Sequence, residues 1–440
     1  MRTITVIGTG YVGLVSGAGI SDFGHRVICA DIQVEKINDL INGVIPIYEP
    51  GLEELVIRNT AAGRLSFTAD IPDAIKKADV VYIAVGTPES KSGEADMTAV
   101  WTVAKTIAKN LNDYKVICTK STVTIGTGKK ICEIIDKHRD PNVDYDYVSN
   151  PEFLREGAAV EDFTHPDRVI IGSTSERAFE IMKDVFRPLY VNETPIIHTN
   201  IQTAEMIKYA SNAYLALKIS YINEIANLCE NVDADVHVVA KAMGIDGRIS
   251  PKFLHPGPGF GGSCFPKDTK ALAYTAGKLN SPLRTINAAI ETNIAQKKRM
   301  VEKLKILMDG SFKGKLIAVL GLSFKPQTND IRESPAIDMI EALLNEGAVV
   351  KAYDPVAMDE MRLKFPDIQY LNTWEAAVEA SQAMVIMTDW NEFRGLNISK
   401  LKELMAQPVV LDTRNVLSME ELQYHGFRYD NVGRKGKSSG

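Results

Sequence analysis

Thr3-Ile4-Thr5-Val6-Ile7-Gly8-Thr9-Gly10-Tyr11-Val12-Gly13 joins an apolar run to a glycine turn, and a helical pattern follows at once. The turn fits GxGxxG. A second apolar run, His25 to Asp31, ends in an acid about 20 residues further on. Each part has a physical task. Gly8 permits a tight turn, Gly10 lets backbone approach a pyrophosphate, and Gly13 lets helix and strand pack closely. The pyrophosphate would sit at a helix N-terminus, where backbone N–H groups and the helix dipole favour an anion. Asp31 would accept hydrogen bonds from an adenosine ribose diol and repel a 2′-phosphate, which favours NAD over NADP. The competing reading is a glycine turn that only packs; strand, helix and acid together count against it.

Outward from this turn, apolar runs alternate with helical patterns. Asp79–Gly86, Tyr114–Val123 and Tyr145–Ser149 read as further strands, buried on both faces of a parallel, doubly wound sheet. Near residue 200 the pattern changes. Ile201–Val232 lacks Pro and Gly and predicts one helix of about 30 residues, about 45 Å long. Such a helix joins domains or builds a subunit interface. Helical patterns continue to Lys305, broken by a loop at Pro256–Pro266. Strand signals resume at Lys315–Phe324, Ala348–Asp354, Ala383–Thr388 and Pro408–Asp412, with a helix over Pro335–Glu346 that starts on Pro and stops before Gly347. The expected fold is therefore α/β: two doubly wound Rossmann-like domains joined by a long central helix and a helical middle domain. The expected boundaries are 1–200, 201–305 and 315–432, with a disordered polar tail at 433–440.

The balance of 50 Lys+Arg against 56 Asp+Glu gives a formal net charge of −6, which does not suit a nucleic-acid-coating protein. No uncharged apolar run reaches the ~18 residues of a membrane span, and the N-terminus lacks a signal-peptide pattern. Five widely spaced cysteines without a CxxC pair predict reduced thiols in the cytoplasm and no metal site.

The most unusual stretch is Gly257-Pro258-Gly259-Phe260-Gly261-Gly262-Ser263-Cys264-Phe265-Pro266-Lys267-Asp268. So much Gly and Pro is costly unless something must approach the backbone closely. Lys267 would favour a thiolate at Cys264, and Asp268 supplies a carboxylate for proton transfer, the composition of an activated nucleophile. A free thiol in a flexible loop is the alternative. Lys208 and Asn212 are four residues apart on one helix face and could cradle an oxyanion. A solvated face with a Glu205–Lys208 pair is the alternative there. Glu152 and Glu156, after a strand end, could act as acid or base, or could merely favour a helix N-terminus. Thr87 and Lys120-Ser121-Thr122-Val123 close two strand runs, where such sheets bind ligands; plain turns would look alike.

Six blocks in order resemble the UDP-glucose 6-dehydrogenase family, within the UDP-glucose/GDP-mannose dehydrogenases. They are Gly8–Gly13, Lys120–Val123, Asn150-Pro-Glu-Phe-Leu-Arg-Glu-Gly157, Glu205-Met-Ile-Lys-Tyr-Ala-Ser-Asn-Ala213, Gly259–Asp268 and Phe324-Lys-Pro-Gln-Thr-Asn-Asp-Ile-Arg-Glu-Ser-Pro335. The resemblance implies a four-electron oxidation of UDP-glucose to UDP-glucuronate with two NAD+, through a Cys264 thiohemiacetal and thioester. It implies oxyanion stabilisation by Lys208 with Asn212. Glu152 and Asp268 would activate the hydrolytic water, and Thr122 would hold it. NAD would contact Gly8, Gly10, Tyr11, Val12, Gly13, Asp31, Lys36, Thr87, Thr122, Glu156, Lys267 and Arg332. UDP-glucose would be lined by Glu152, Phe153, Leu154, Lys208, Asn212, Phe253, Leu254, Gly261, Phe324, Lys325 and Arg414. Arg248 would reach a neighbouring subunit's sugar site in a homodimer built on the central helix. The second α/β domain has Gly321-Leu-Ser-Phe-Lys in place of GxGxxG, which suits a mononucleotide. Rival readings are the same chemistry on GDP-mannose or a UDP-N-acetylhexosamine, a two-electron hydroxyacid or 6-phosphogluconate-type dehydrogenase, and a non-catalytic NAD-binding sensor.

Overall fold

The structure, a computed structural model, describes residues 1–90 and 93–435. The chain divides into two compact units, residues 1–211 and residues 212 onward.

The first unit is built on eight strands: β1 (Thr3–Ile7), β2 (Arg26–Ala30), β3 (Leu65–Thr68), β4 (Val80–Ile83), β5 (Lys115–Thr119), β6 (Tyr145–Ser149), β7 (Val169–Gly172) and β8 (Ile196–Thr199). Their order across the sheet is β3-β2-β1-β4-β5-β6-β7-β8. Neighbours run parallel except β6 and β7, which pair antiparallel through Ser149 and Gly172. Strand direction thus reverses beyond β6, a departure from the expected all-parallel sheet. β4 and β5 are buried along their whole length because helices cover both sheet faces.

The second unit repeats the plan with β9 (Leu316–Leu320), β10 (Val349–Tyr353), β11 (Gln369–Tyr370), β12 (Ala383–Ile386), β13 (Val409–Asp412) and β14 (Arg428–Asn431). The order is β11-β10-β9-β12-β13-β14, parallel throughout. The helix Pro335–Asn345 packs on this sheet and begins as the sequence predicts, with Pro335 in its first turn and the Ser334 hydroxyl accepting from Ala336 N–H.

A helix of 32 residues, Ile201–Val232, begins in the first unit and continues into the second. Helices Val236–Ile245, Phe265–Lys278 and Arg284–Leu307 follow. Ile222, Ala226, Met300 and Leu304 from these helices share one apolar core with Ile317, Val319, Met339 and Leu343 of the second sheet and its helix. The helical middle and the second sheet therefore bury their apolar faces together. Gly433, placed in the expected tail, accepts from Val236 N–H at 3.0 Å and donates to Glu230 at 2.9 Å. Residues 436–440 of that tail lie outside the described residues.

Candidate active site

In the first unit, the glycine turn sits where β1 ends. Gly8 has φ +104°, and a Cβ there would lie 2.6 Å from the Ala84 carbonyl oxygen. A Cβ on Gly13 would lie 1.9 Å from Gly8 O, so the helix Tyr11–Asp22 packs against the turn only with glycine there. Gly10 is different, because a Cβ there would meet nothing within 4 Å. Two glycines serve internal packing, and the third leaves open space beside the helix N-terminus. This is the arrangement a pyrophosphate requires. Gly13→Ala is expected to destabilise this unit by on the order of 3 kcal/mol, because the clash is with backbone that cannot rotate away. Thermal unfolding of the purified variant checks this.

Asp31 follows β2 and closes on the same turn. Its Oδ2 accepts from Thr9 N–H and Thr9 Oγ1, both at 2.8 Å, and its Oδ1 accepts from Gln33 N–H at 3.1 Å. Lys36 Nζ stands 3.9 Å from Asp31. Burial pushes the Asp31 carboxyl up, but these hydrogen bonds and the Lys36 charge outweigh it and hold the group below the usual range. The carboxylate is therefore ionised at neutral pH. Tyr11 takes a structural partner as well: its hydroxyl donates to buried Glu49, whose oxygens also accept from Gly157 N–H at 2.6 Å and Ala159 N–H at 2.7 Å. Burial, then Glu49, pushes the Tyr11 phenol far up. Glu49 ties the first helical turn to the 150–157 loop, and Glu156 lies near enough for its charge to act on Tyr11. No local signal marked Glu49 in the sequence.

The loops after β4 and β5 meet, with Thr87 Oγ1 donating to Thr122 O at 2.9 Å. Glu152, after β6, is buried. Its Oε1 accepts from Lys208 Nζ at 2.9 Å, and its Oε2 accepts from Leu154 N–H at 2.6 Å. Lys208 also lies 5.5 Å from the Phe153 ring centroid, and the Arg168 guanidinium stacks on that ring at 3.6 Å. Glu205 instead accepts from Gly126 N–H at 2.6 Å and Gly128 N–H at 2.8 Å. The solvated Glu205–Lys208 pair is thus replaced by a buried Glu152–Lys208 pair, with both side chains about 5% exposed or less. Asn212 lies one turn beyond Lys208 on the same helix.

In the second unit, Cys264 is half-buried at the N-cap of the helix Phe265–Lys278. Its sulfur lies 3.6 Å from Ser263 Oγ. Asp268 is fully buried one turn on; its Oδ1 accepts from Lys267 Nζ at 2.6 Å and its Oδ2 from Asn212 Nδ2 at 2.7 Å. The loop before the cysteine is held by three amide side chains that the sequence reading did not single out. Asn223 Oδ1 accepts from Gly257 N–H at 2.8 Å, Asn293 exchanges hydrogen bonds with the Phe260 backbone at 2.7 and 3.0 Å, and Gln296 Nε2 donates to Gly257 O at 2.8 Å. Each is a mid-helix residue, and nothing local distinguishes it from a solvated one. The glycines are needed for contact: a Cβ on Gly261 would lie 2.4 Å from Glu333 O, and one on Gly262 would lie 2.7 Å from the Phe324 ring. Gly262 N–H also donates to Arg332 O at 2.8 Å. Buried Cys29, by contrast, has its thiol pushed up to about 12 by burial, and Cys118, Cys132 and Cys229 are raised for the same reason. Cys29, Cys118 and Cys229 are buried, and Cys132 packs half-buried against the core.

Around this loop, Phe253 adopts φ +66° with its ring 6.0 Å from Phe265, and Leu254 is buried. Arg414 Nη2 donates to Phe324 O at 2.9 Å, and Lys325 Nζ lies 5.3 Å from the Phe324 ring. Two predicted residues stand apart. Arg248 pairs with Asp246 at 2.6 Å with its side chain 89% exposed, and the exposed Arg332 side chain pairs with Asp330 at 2.7 Å.

A dinucleotide turn with an ionised acid defines the class: an NAD-dependent oxidoreductase. Comparison with known proteins agrees. Residues 2–190 match the NAD binding domain of the UDP-glucose/GDP-mannose dehydrogenase family, 202–295 its central domain and 318–419 its UDP binding domain. A UDP-glucose 6-dehydrogenase of Bacillus subtilis (strain 168) is 52% identical over 99% of this chain and 94% of its own. One from Rhizobium meliloti is 50% identical over 98% and 99%. The structure of a UDP-glucose dehydrogenase from the archaeon Pyrobaculum islandicum superposes with TM-score 0.92 at 35% identity, covering 99% of this chain and 98% of that one. The chain belongs to the UDP-glucose/GDP-mannose dehydrogenase family. Among the described residues, no helix is long and apolar enough to cross a membrane.

Proposed function

We propose that this protein is a UDP-glucose 6-dehydrogenase that oxidises the C6 alcohol of UDP-glucose through the aldehyde to UDP-glucuronate. The observation that carries the reading is Cys264 at a helix N-terminus with Asp268 fixed one turn on by Lys267 and Asn212. The full-length relatives named above support the substrate.

Bound NAD+ supplies the hydride acceptor for both oxidations. Asp31 would receive its ribose diol, and the space beside Gly10 would take its pyrophosphate. By the family resemblance, Thr87, Thr122, Glu156 and Lys267 would contact the rest, and Arg332 would do so only on leaving Asp330. By the family resemblance, Phe153, Leu154, Phe253, Leu254, Gly261, Phe324, Lys325 and Arg414 would line the sugar nucleotide.

The first oxidation leaves an aldehyde at C6. The helix N-terminus favours the thiolate of Cys264, which adds to that carbon. Hydride loss from the oxyanion that this addition forms needs no further proton transfer and leaves a thioester. Water then attacks the acyl carbon, a carboxylate takes the water's proton, and the thiolate departs as the sugar leaves oxidised. Lys208, with Asn212, stabilises the oxyanion at each addition; a cation in a buried setting is worth more there than in water. Glu152 and Asp268 are the carboxylates for the water, and Thr122 orients it.

The protein acts as a homodimer through the central helix, with Arg248 reaching the partner's sugar. Tyr214, Tyr221 and Leu228 support this: they are exposed at seven-residue spacing, which places them on one face. Free thiols fit a cytoplasmic enzyme.

NADH formed to completion on limiting UDP-glucose tests the reading, with GDP-mannose and UDP-N-acetylglucosamine alongside. Two NADH per UDP-glucose are expected. One NADH would mean a released aldehyde and no covalent role for Cys264. Two NADH on another sugar alone would move the substrate.

A further inference from the structure

Among the described residues, five lysines are buried: Lys115, Lys120, Lys208, Lys297 and Lys303. A buried ammonium is costly unless it is paired. Lys208 has Glu152 at 2.9 Å, Lys297 has Asp338 at 3.0 Å, and Lys303 has Glu230 at 2.9 Å and Asp430 at 3.0 Å. Lys115 donates to the carbonyls of Ala78 at 2.6 Å and Lys76 at 3.2 Å.

Lys120 differs from the three ion-paired lysines in lacking a carboxylate, and from Lys115 in having a single acceptor. It is 5% exposed, yet its Nζ donates to the neutral amide oxygen of Asn150 at 3.1 Å and lies 5.6 Å from the Phe186 ring centroid. No carboxylate pairs with it among the described residues. Its position is built, not incidental. Lys120 N–H donates to Ile83 O at 2.9 Å, and Asn150 is fixed by Thr119 O at 2.9 Å and Ile170 O at 2.7 Å. The charged or titratable groups that act on it are Cys118 on β5, the strand it follows, Glu152 from the loop after β6, and Lys208 from the long helix. An unpaired cation has been placed beside the Glu152–Lys208 pair at a cost in stability, which marks a functional position.

We propose that Lys120 is a positioning residue whose charge sets the proton affinity of the Glu152–Lys208 pair, so that its deprotonation readies that pair to take the proton of the substrate alcohol. This rests on the proposed dehydrogenase reading. In the first oxidation the C6–H bond gives its electron pair to NAD+ as hydride. The O–H bond gives its proton to the pair, and its electrons form the second carbon–oxygen bond. A positive charge beside the pair disfavours proton uptake. Burial pushes the Lys120 ammonium down to about 8; Cys118 and Glu152 oppose this, and Lys208 reinforces it. Its charge therefore falls away within the working range of pH, and the rate rises as pH climbs through 8.

The test is kcat between pH 6.5 and 9.5 for the wild type, Lys120→Met and Lys120→Arg. The wild type is expected to gain rate through pH 8. Lys120→Met, neutral at every pH, is expected to lack that limb and exceed the wild type by about tenfold at pH 6.5. Lys120→Arg, charged at every pH, is expected to stay slow by about tenfold at pH 9. A Lys120→Met profile parallel to the wild type's would overturn the proposal, since a purely structural role lowers rates without moving the limb. If Lys120→Met does not fold, side-chain NMR titration of the wild type decides: an ammonium that loses its proton near 8 supports the proposal, and one that keeps it past 10 overturns it. The wild type's NADH yield separates the two readings. Without two NADH per UDP-glucose the enzyme assignment fails; with two and an unmoved limb, only the role of Lys120 fails.

Discussion

Replacing Cys264 by alanine is expected to lower UDP-glucuronate formation by about 10³-fold or more, while UDP-glucose still binds within a few-fold of the wild-type affinity. The two effects separate because the loop's shape does not depend on the thiol. Asn223, Asn293 and Gln296 hold its backbone, and Glu333 O and the Phe324 ring pack directly on Gly261 and Gly262. Without the thiol no thioester forms, so NADH yield falls to one per sugar at most. Cys264→Ser keeps a nucleophile of the same shape, but its hydroxyl holds its proton far more tightly, and the loss is expected to be nearly as large. Product analysis and calorimetric titration with UDP-glucose check this together. An alanine variant that still gave two NADH per sugar would remove Cys264 from the mechanism.

The contrast among the five cysteines shows what a sequence discloses. Cys264 is set apart by its neighbours, since a run of glycines ahead of a cysteine is expensive without a purpose. The same logic made Gly8–Gly13 legible, and the two close contacts at Gly8 and Gly13 with open space at Gly10 supply the physical reason. The helix Ile201–Val232 was legible to the residue because it lacks Pro and Gly over its whole length. The strands that went unread are short or peripheral. β3 and β7 have four residues each, β8 is a partly exposed edge strand, β11 has two residues, and β14 reads Arg-Tyr-Asp-Asn, with too little apolar content to register. The partners that went unread are single polar residues whose meaning is entirely tertiary. Glu49 holds Tyr11 from 38 residues away and the 157–159 backbone from more than 100, and Asn293 holds the Phe260 loop from the helix Arg284–Leu307. Lys208 was legible as a candidate, but its partner was not: only the fold brings Glu152 within 2.9 Å and turns Glu205 toward Gly126 and Gly128.

That buried pair yields the second large effect. Lys208→Met is expected to destabilise the protein by about 3–5 kcal/mol, because it leaves the Glu152 carboxylate desolvated with the Leu154 N–H as its remaining hydrogen bond. Glu152→Gln is expected to cost stability too, by removing the charge that Lys208 pairs with. The double variant Glu152→Gln/Lys208→Met removes both charges, and its loss should fall short of the summed single losses by about 2 kcal/mol or more. Urea unfolding of the four proteins measures this coupling; additive losses would mean the charges do not depend on one another. Activity should follow a different rule. The oxyanion that Lys208 stabilises arises only during the reaction, so neutralising Glu152 cannot replace the missing cation. The double variant is expected to regain stability and remain about 10²–10³-fold slow. Recovery of rate along with stability would mean that Lys208 serves the fold and not the chemistry.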